Sequence, residues 1–108
     1  MKRLLKGLLV LAMGTGLLVG FPAAAHAINS TPCGGRSDFF KVVNYDNNIR
    51  NEHCFANAGN MSVYITNVTL VCSGNNAAVA DFGQGFSAFN KWQCQSYSRW
   101  TLIYIHIL

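Results

Sequence analysis

Short apolar runs broken every few residues by asparagine and glycine dominate the chain from about residue 39 onward. Phe39 to Tyr45, Ser62 to Val71, Ala77 to Phe82, Gly85 to Phe89 and Trp100 to Leu108 are rich in β-branched and aromatic residues, the composition of pleated, half-buried strands. Between them lie Asp46-Asn47-Asn48, Ala58-Gly59-Asn60, Ser73-Gly74-Asn75-Asn76 and Gly83-Gln84-Gly85, where asparagine and glycine supply the positive φ that tight turns demand. Beyond the leader no segment holds a helical period over ten residues; one short helical turn is allowed around Phe55 to Ala58. The pattern predicts an all-β fold. In the last run, Thr101, Ile103, Ile105 and Ile107 point one way and Leu102, Tyr104, His106 and Leu108 the other, because side chains alternate along a strand. The isoleucine face is expected to be buried, and His106 to be a partly exposed, hydrogen-bonded histidine rather than a catalytic one.

The first 27 residues follow a different pattern. Lys2, Arg3 and Lys6 precede an apolar stretch from Leu8 to Val19, and Ala25-His26-Ala27 is a small-residue cleavage site, so residues 1–27 read as a secretory signal peptide. The stretch is short and interrupted by Gly14, Gly16 and Gly20, and no stop-transfer segment follows, so no stable membrane anchor is expected. Residues 28–108 are then a single secreted, extracellular domain.

Removing the leader changes the charge. Of 8 Lys+Arg, five lie beyond it (Arg36, Lys41, Arg50, Lys91, Arg99), against four acidic residues (Asp38, Asp46, Glu52, Asp81), which leaves +1 rather than +4. These five are scattered singly, whereas phosphate binding requires a clustered basic face, so nucleic acid is excluded as a partner. A small domain has little stability margin from its core alone. The four cysteines, Cys33, Cys54, Cys72 and Cys94, supply more: an even count in a short exported chain reads as two disulfides. Three pairings are open. Cys33 with Cys54 and Cys72 with Cys94 is favoured because it closes two loops of similar size, each contributing on the order of 3 kcal/mol. A zinc site is not expected, since no C-x-x-C or H-x-x-x-H spacing occurs and His53 and His106 lack a second ligand nearby.

A faint repeat divides the domain. Phe40 to Asn47 can be laid against Ala78 to Gly85, and Met61 to Val71 against Trp100 to Leu108. Each half of about forty residues is long enough for a four-stranded Greek key, and two such units packed together form a small disulfide-stabilised β-sandwich.

The run Cys54-Phe55-Ala56-Asn57-Ala58-Gly59, then Val71-Cys72-Ser73-Gly74-Asn75-Asn76, Phe89-Asn90-Lys91-Trp92-Gln93-Cys94 and the ending Ile105-His106-Ile107 resemble the Streptomyces killer toxin-like proteins of the β/γ-crystallin superfamily. The resemblance covers nearly all of the chain from Cys33 onward. It implies a Greek-key β-sandwich of two β/γ-crystallin-like motifs and a cytocidal action on yeasts and filamentous fungi. Many β/γ-crystallin domains bind calcium through an N/D-N/D-x-x-S/T-S loop. The nearest matches here, Asn47 to Glu52 and Asn75 to Ala80, both fail at the last two positions, so no metal and no cofactor is expected and these asparagines read as turn formers.

Enzyme chemistry finds little support. The carboxylates form no recognisable acid/base pair, and the Glu52-His53 neighbours would point to opposite faces of a strand. Binding is the better class. Twelve aromatics remain outside the leader, too many to bury in so small a domain. Trp92, Tyr97 and Trp100 lie close to Lys91 and Arg99, a mixture suited to glycan rings or an amphipathic membrane surface. For the two tryptophans, core packing across the disulfide from Cys94 is the favoured alternative. The expected function is thus a secreted, non-enzymatic, monomeric antifungal protein that binds a fungal cell-wall glycan or membrane surface. The alternative is a secreted protease inhibitor or structural domain of the same fold; for inhibition, Gln95 to Arg99 is the one loop beside a cysteine that could present a bait side chain.

Overall fold

The computed structural model describes residues 27–108, so the leader assigned to residues 1–27 lies, Ala27 apart, outside the described residues. Seven antiparallel strands form the fold: β1 (Asn29–Thr31), β2 (Phe40–Asp46), β3 (Ile49–Ala56), β4 (Gly59–Cys72), β5 (Ala78–Asp81), β6 (Phe86–Phe89) and β7 (Cys94–Ile107). All five apolar runs fall on strands. Two strands, β1 and β3, were not expected. Ile-Arg-Asn-Glu-His-Cys-Phe-Ala carries no clean alternation, yet β2 pairs it residue for residue from Phe40 with Phe55 to Asp46 with Ile49. The turn between them is Asn47-Asn48, with φ of 49° and 63°, the double positive-φ geometry of a tight hairpin. The helical turn expected around Phe55 to Ala58 does not form, because Phe55 and Ala56 are bonded into the ladder beside β1 and Phe55 also faces Phe40 on β2.

The strand order is β1-β3-β2-β4-β7-β5-β6. Leaving β1 aside, it is a palindrome in which β3-β2-β4 answers β6-β5-β7. The faint repeat laid the β2 segment on β5 and the β4 segment on β7, which is this same correspondence. The ladder does not lie flat. Four steps separate β2 from β6, roughly 19 Å in a flat sheet at the usual interstrand spacing. The rings of Phe40 and Phe89 on those strands nevertheless meet edge to face at 6.1 Å. The sheet is therefore folded over, and the core lies between its halves: Phe40, Val42, Val68, Val71, Ala80, Leu102, Ile105 and Ile107 are almost fully buried there, with Ile28 packed at the rim.

Folding is achieved where the two longest strands are irregular. The β4–β7 register shifts between Ser62 and Ile65, between Ile65 and Val68 and between Val68 and Leu70. Asn67 and Arg99 adopt left-handed φ of 56° and 59° on either side of the Val68–Trp100 pair. Extra residues of this kind bend a strand and increase its twist. They also correct the expected faces of β7: Ile105 and Ile107 are buried, but so is Leu102, while Ile103 and Tyr104 are both partly exposed. Alternation slips by one residue opposite the Ser62–Ile65 irregularity. His106 is half-buried and hydrogen-bonded to Asn60 Oδ1 through Nδ1.

Disulfides join Cys33 to Cys54 and Cys72 to Cys94, the connectivity that equal loop lengths favour. The first anchors the segment before β2 to the core edge at Cys54. The second links Cys72 and Cys94, which face each other directly on β4 and β7. Residues 95–99 are part of β7, not a loop, so the bait segment imagined for a protease inhibitor does not exist. Its backbone is occupied in part by pairing of Gln95 with Val71 and Ser96 with Leu70.

Candidate surface-binding site

Two surface cavities flank the first half of β7. The larger, about 480 Å³, lies between the start of β6 and β7 and is lined by Phe86, Ser87, Gln95, Ser96, Tyr97 and Trp100 together with Gly85 and Ser98. Its aromatic wall is built by the bulge. Residues three apart on a regular strand face opposite sides, but the left-handed Arg99 inserts one extra turn of direction, and Tyr97 and Trp100 come to share a face. Both pack against buried Phe82, Tyr97 with a tilted ring at 4.4 Å and Trp100 edge to face at 5.5 Å, and lie 5.4 Å from each other. Burial holds the Tyr97 phenol above its ordinary pKa. Phe86, 74% exposed, stands at the mouth.

The smaller cavity, about 240 Å³, sits over the Cys72–Cys94 disulfide between Phe39 and Trp92, with Lys41, Gly74 and Ser37 completing it. Trp92 is 62% exposed and has a left-handed φ of 61°. Its turn is locked from beneath: Trp92 N donates to Gly74 O at 2.6 Å and Ser73 N to Gln93 O at 2.8 Å. The fully buried Ser73 Oγ donates to Asn90 O at 2.6 Å and accepts from Gln93 N at 3.1 Å. Asn76 Nδ2 donates to Asp38 O and Ser73 O, fastening this loop to the segment before β2.

The five residues singled out by sequence proximity are thus dispersed. Trp92 lines the smaller cavity, and Lys91 beside it is exposed. Tyr97 and Trp100 line the larger one while packing against the core. Arg99 turns to the opposite face, its guanidinium 5.8 Å from the centre of the Tyr45 ring. The favoured core role therefore holds in part for Trp100 and fails for Trp92, whose left-handed turn tips the indole outward. Neither Lys91 nor Arg99 forms an ion pair among the described residues, whereas Arg36 is paired with Asp38, and Lys41 and Arg50 with Glu52. Sequence reading missed Phe86, Phe39 and Lys41. The first was legible: with Phe89 facing inward, alternation turns Phe86 outward. Phe39 and Lys41 carry no comparable signal, since only the pairing of β2 with β4 brings them to the disulfide.

Other candidates have structural partners. Glu52 is held by Arg50 and Lys41, which keep its carboxyl below the usual range. His53 lies on the other face, where Nε2 donates to Asn44 Oδ1 at 3.0 Å and Asn44 Nδ2 donates to Thr66 O at 2.9 Å. Asp81 Oδ1 accepts from Gly83 N at 2.9 Å and caps a turn. Among the described residues no helix is long and apolar enough to cross a membrane.

A family model described as Beta/Gamma crystallin matches residues 42–103, more than half of the chain and the span from β2 into β7. The chain belongs to the β/γ-crystallin family. Among solved structures, the β/γ-crystallin chain is similar to an antifungal protein from Streptomyces tendae Tu901, with a TM-score of 0.64 and 29% sequence identity. The match covers 76% of this chain and 100% of that one. No curated protein sequence matches the chain.

Proposed function

We propose that residues 28–108, released from their leader, act outside the cell as a non-enzymatic antifungal protein that binds the wall or membrane surface of a fungal target. The observation that carries this reading is the likeness to the Streptomyces tendae antifungal protein, which extends over the whole length of that chain at 29% identity. Two crosslinks in a domain of this size suit an oxidising, extracellular setting. Exposed Trp92 and Phe86, with Lys91 beside the former, supply flat apolar faces and a cation at a surface, the chemistry that docks onto sugar rings or a headgroup region.

The test is growth of yeasts and filamentous fungi in the presence of the purified 28–108 protein, run beside co-sedimentation with insoluble wall glycan and with liposomes. Growth arrest is expected, with sedimentation on one of the two surfaces. Trp92→Ala and Phe86→Ala should weaken sedimentation while leaving the far-ultraviolet circular dichroism unchanged. Absence of any effect on a broad fungal panel, together with tight inhibition of a secreted protease, would sink the proposal.

A further inference from the structure

The two disulfides occupy the same row of side chains across the sheet but very different surroundings. Thr31, Cys54, Lys41, Cys72 and Cys94 are successive cross-strand partners on β1, β3, β2, β4 and β7, so their side chains share one face. Cys54 is 1% exposed, covered on that face. Cys94 is exposed and Cys72 half-buried, and both line the cavity between Phe39 and Trp92. We infer that the Cys72–Cys94 disulfide is a thiol-exchange site: a low-molecular-weight thiol enters this cavity, attacks Cys94 and is held there as a mixed disulfide, while Cys33–Cys54 stays closed.

The chemistry follows from access and from the leaving group. An incoming thiolate forms a bond to Cys94 Sγ; the Cys72–Cys94 bond breaks, and its electron pair departs on Cys72 Sγ, which then takes up a proton. A second thiolate attacking the sulfur of the bound thiol releases Cys94 as a thiolate and leaves the two small thiols joined as their own disulfide. Two small thiols are thereby oxidised and the cystine is reduced to two cysteines. The departing Cys72 sulfur sits cross-strand from the ammonium-bearing Lys41 and within reach of solvent, both of which favour a thiolate. Attack on Cys33 would instead expel a thiolate at Cys54, which is sealed from solvent, and burial disfavours that charge. Lys41 is equally a cross-strand neighbour of Cys54, so burial and access, not the cation, separate the two bonds.

Opening the bond leaves its surroundings in place. Val71 still pairs with Gln95 and Leu70 with Ser96, and the Ser73–Gln93 and Trp92–Gly74 backbone hydrogen bonds still hold the neighbouring turns. The exchange is therefore reversible without unfolding, and the bound thiol lies against Trp92.

The probe is reduced glutathione, in limiting amount, added to the native 28–108 protein, followed by alkylation at timed intervals and peptide mapping by mass spectrometry. Glutathione should appear on Cys94 and the alkyl group on Cys72, with Cys33–Cys54 intact and opening roughly tenfold or more slowly. Circular dichroism should stay native throughout, and Trp92 fluorescence should change with adduct formation. Lys41→Gln should slow the reaction several-fold. Opening of Cys33–Cys54 first or at an equal rate, attachment to Cys72, or no exchange until the protein is unfolded would each overturn the inference.

Discussion

At Gly74 a side chain has no room. Its φ is +62°, and a Cβ there would fall 2.4 Å from the carbonyl oxygen of Phe39 and 2.5 Å from that of Asp38. Gly74→Ala should therefore lower stability by at least about 2 kcal/mol, the left-handed backbone cost of roughly 1–2 kcal/mol plus a backbone clash that no side-chain movement relieves. The urea midpoint of the variant against the parent protein measures this, and an unchanged midpoint would contradict it. The glycine was readable as a turn former; the two carbonyls it accommodates were not, because they come from a segment 35 residues earlier. Charge acts at the same scale. Arg36 Nε and Nη2 donate to the Asp38 carboxylate at 2.9 and 2.5 Å, and Glu52 lies between Arg50 and Lys41. The hydrogen bonds from arginine hold both carboxyls below their ordinary pKa. A carboxyl depressed in the folded state stabilises above its unfolded pKa of about 4, and that contribution is lost as pH falls from there through the lower folded value. Stability should thus decline on acidification in this window. Carboxyl titrations by nuclear magnetic resonance should show Asp38 and Glu52 each titrating below the same residue in an unfolded peptide; midpoints equal to the peptide values would remove the argument. Both groups are exposed, so solvent screening keeps the effect small.

Among the elements, β4 and β7 carry the architecture. They are 14 residues each and pair along almost their whole length, and the fold depends on their not being regular. Asn67 is one of the two left-handed bulge residues, a conformation asparagine tolerates and β-branched residues do not. Asn67→Gly should be close to neutral, whereas Asn67→Val should cost roughly 1–2 kcal/mol. Thermal unfolding of the two variants separates them, and equal losses would show that Asn67 acts through its side chain instead. Five strands were visible in the sequence because their β-branched and aromatic content is high. β3 was not, since its exposed Arg50 and Glu52 give no apolar signal and its conformation comes from pairing with β2. The first half of β7 was misread for a related reason. Gln95 to Arg99 looks polar and loop-like, and Arg99 shows none of the glycine or asparagine that marks most left-handed bulges. The same bulge scattered the proposed binding cluster, turning Arg99 toward Tyr45 and Trp100 toward Tyr97.

For the whole molecule the crosslinks and the core act together. The loops closed by the two disulfides span 21 and 22 residues, so each should contribute a similar amount, about 3 kcal/mol, by restricting the unfolded chain. Their surroundings differ, and that breaks the tie. Replacing Cys33 and Cys54 together by alanine should lower the melting temperature more than replacing Cys72 and Cys94. The first pair also removes a buried sulfur at Cys54, while the second lies at the surface. A larger loss from the second pair would mean that the Trp92 turn depends on its disulfide more than on its hydrogen bonds. The sequence by itself determined the β class, the turns, the pairing of like with like in two halves, and the family. These depend on local conformational preference and on patterns that survive in one dimension. Only the tertiary structure decided where the ladder folds, which aromatic faces reach solvent, and which disulfide lies open. Each of these depends on residues distant in the chain meeting across β4 and β7, and on bulges whose position side-chain type does not announce.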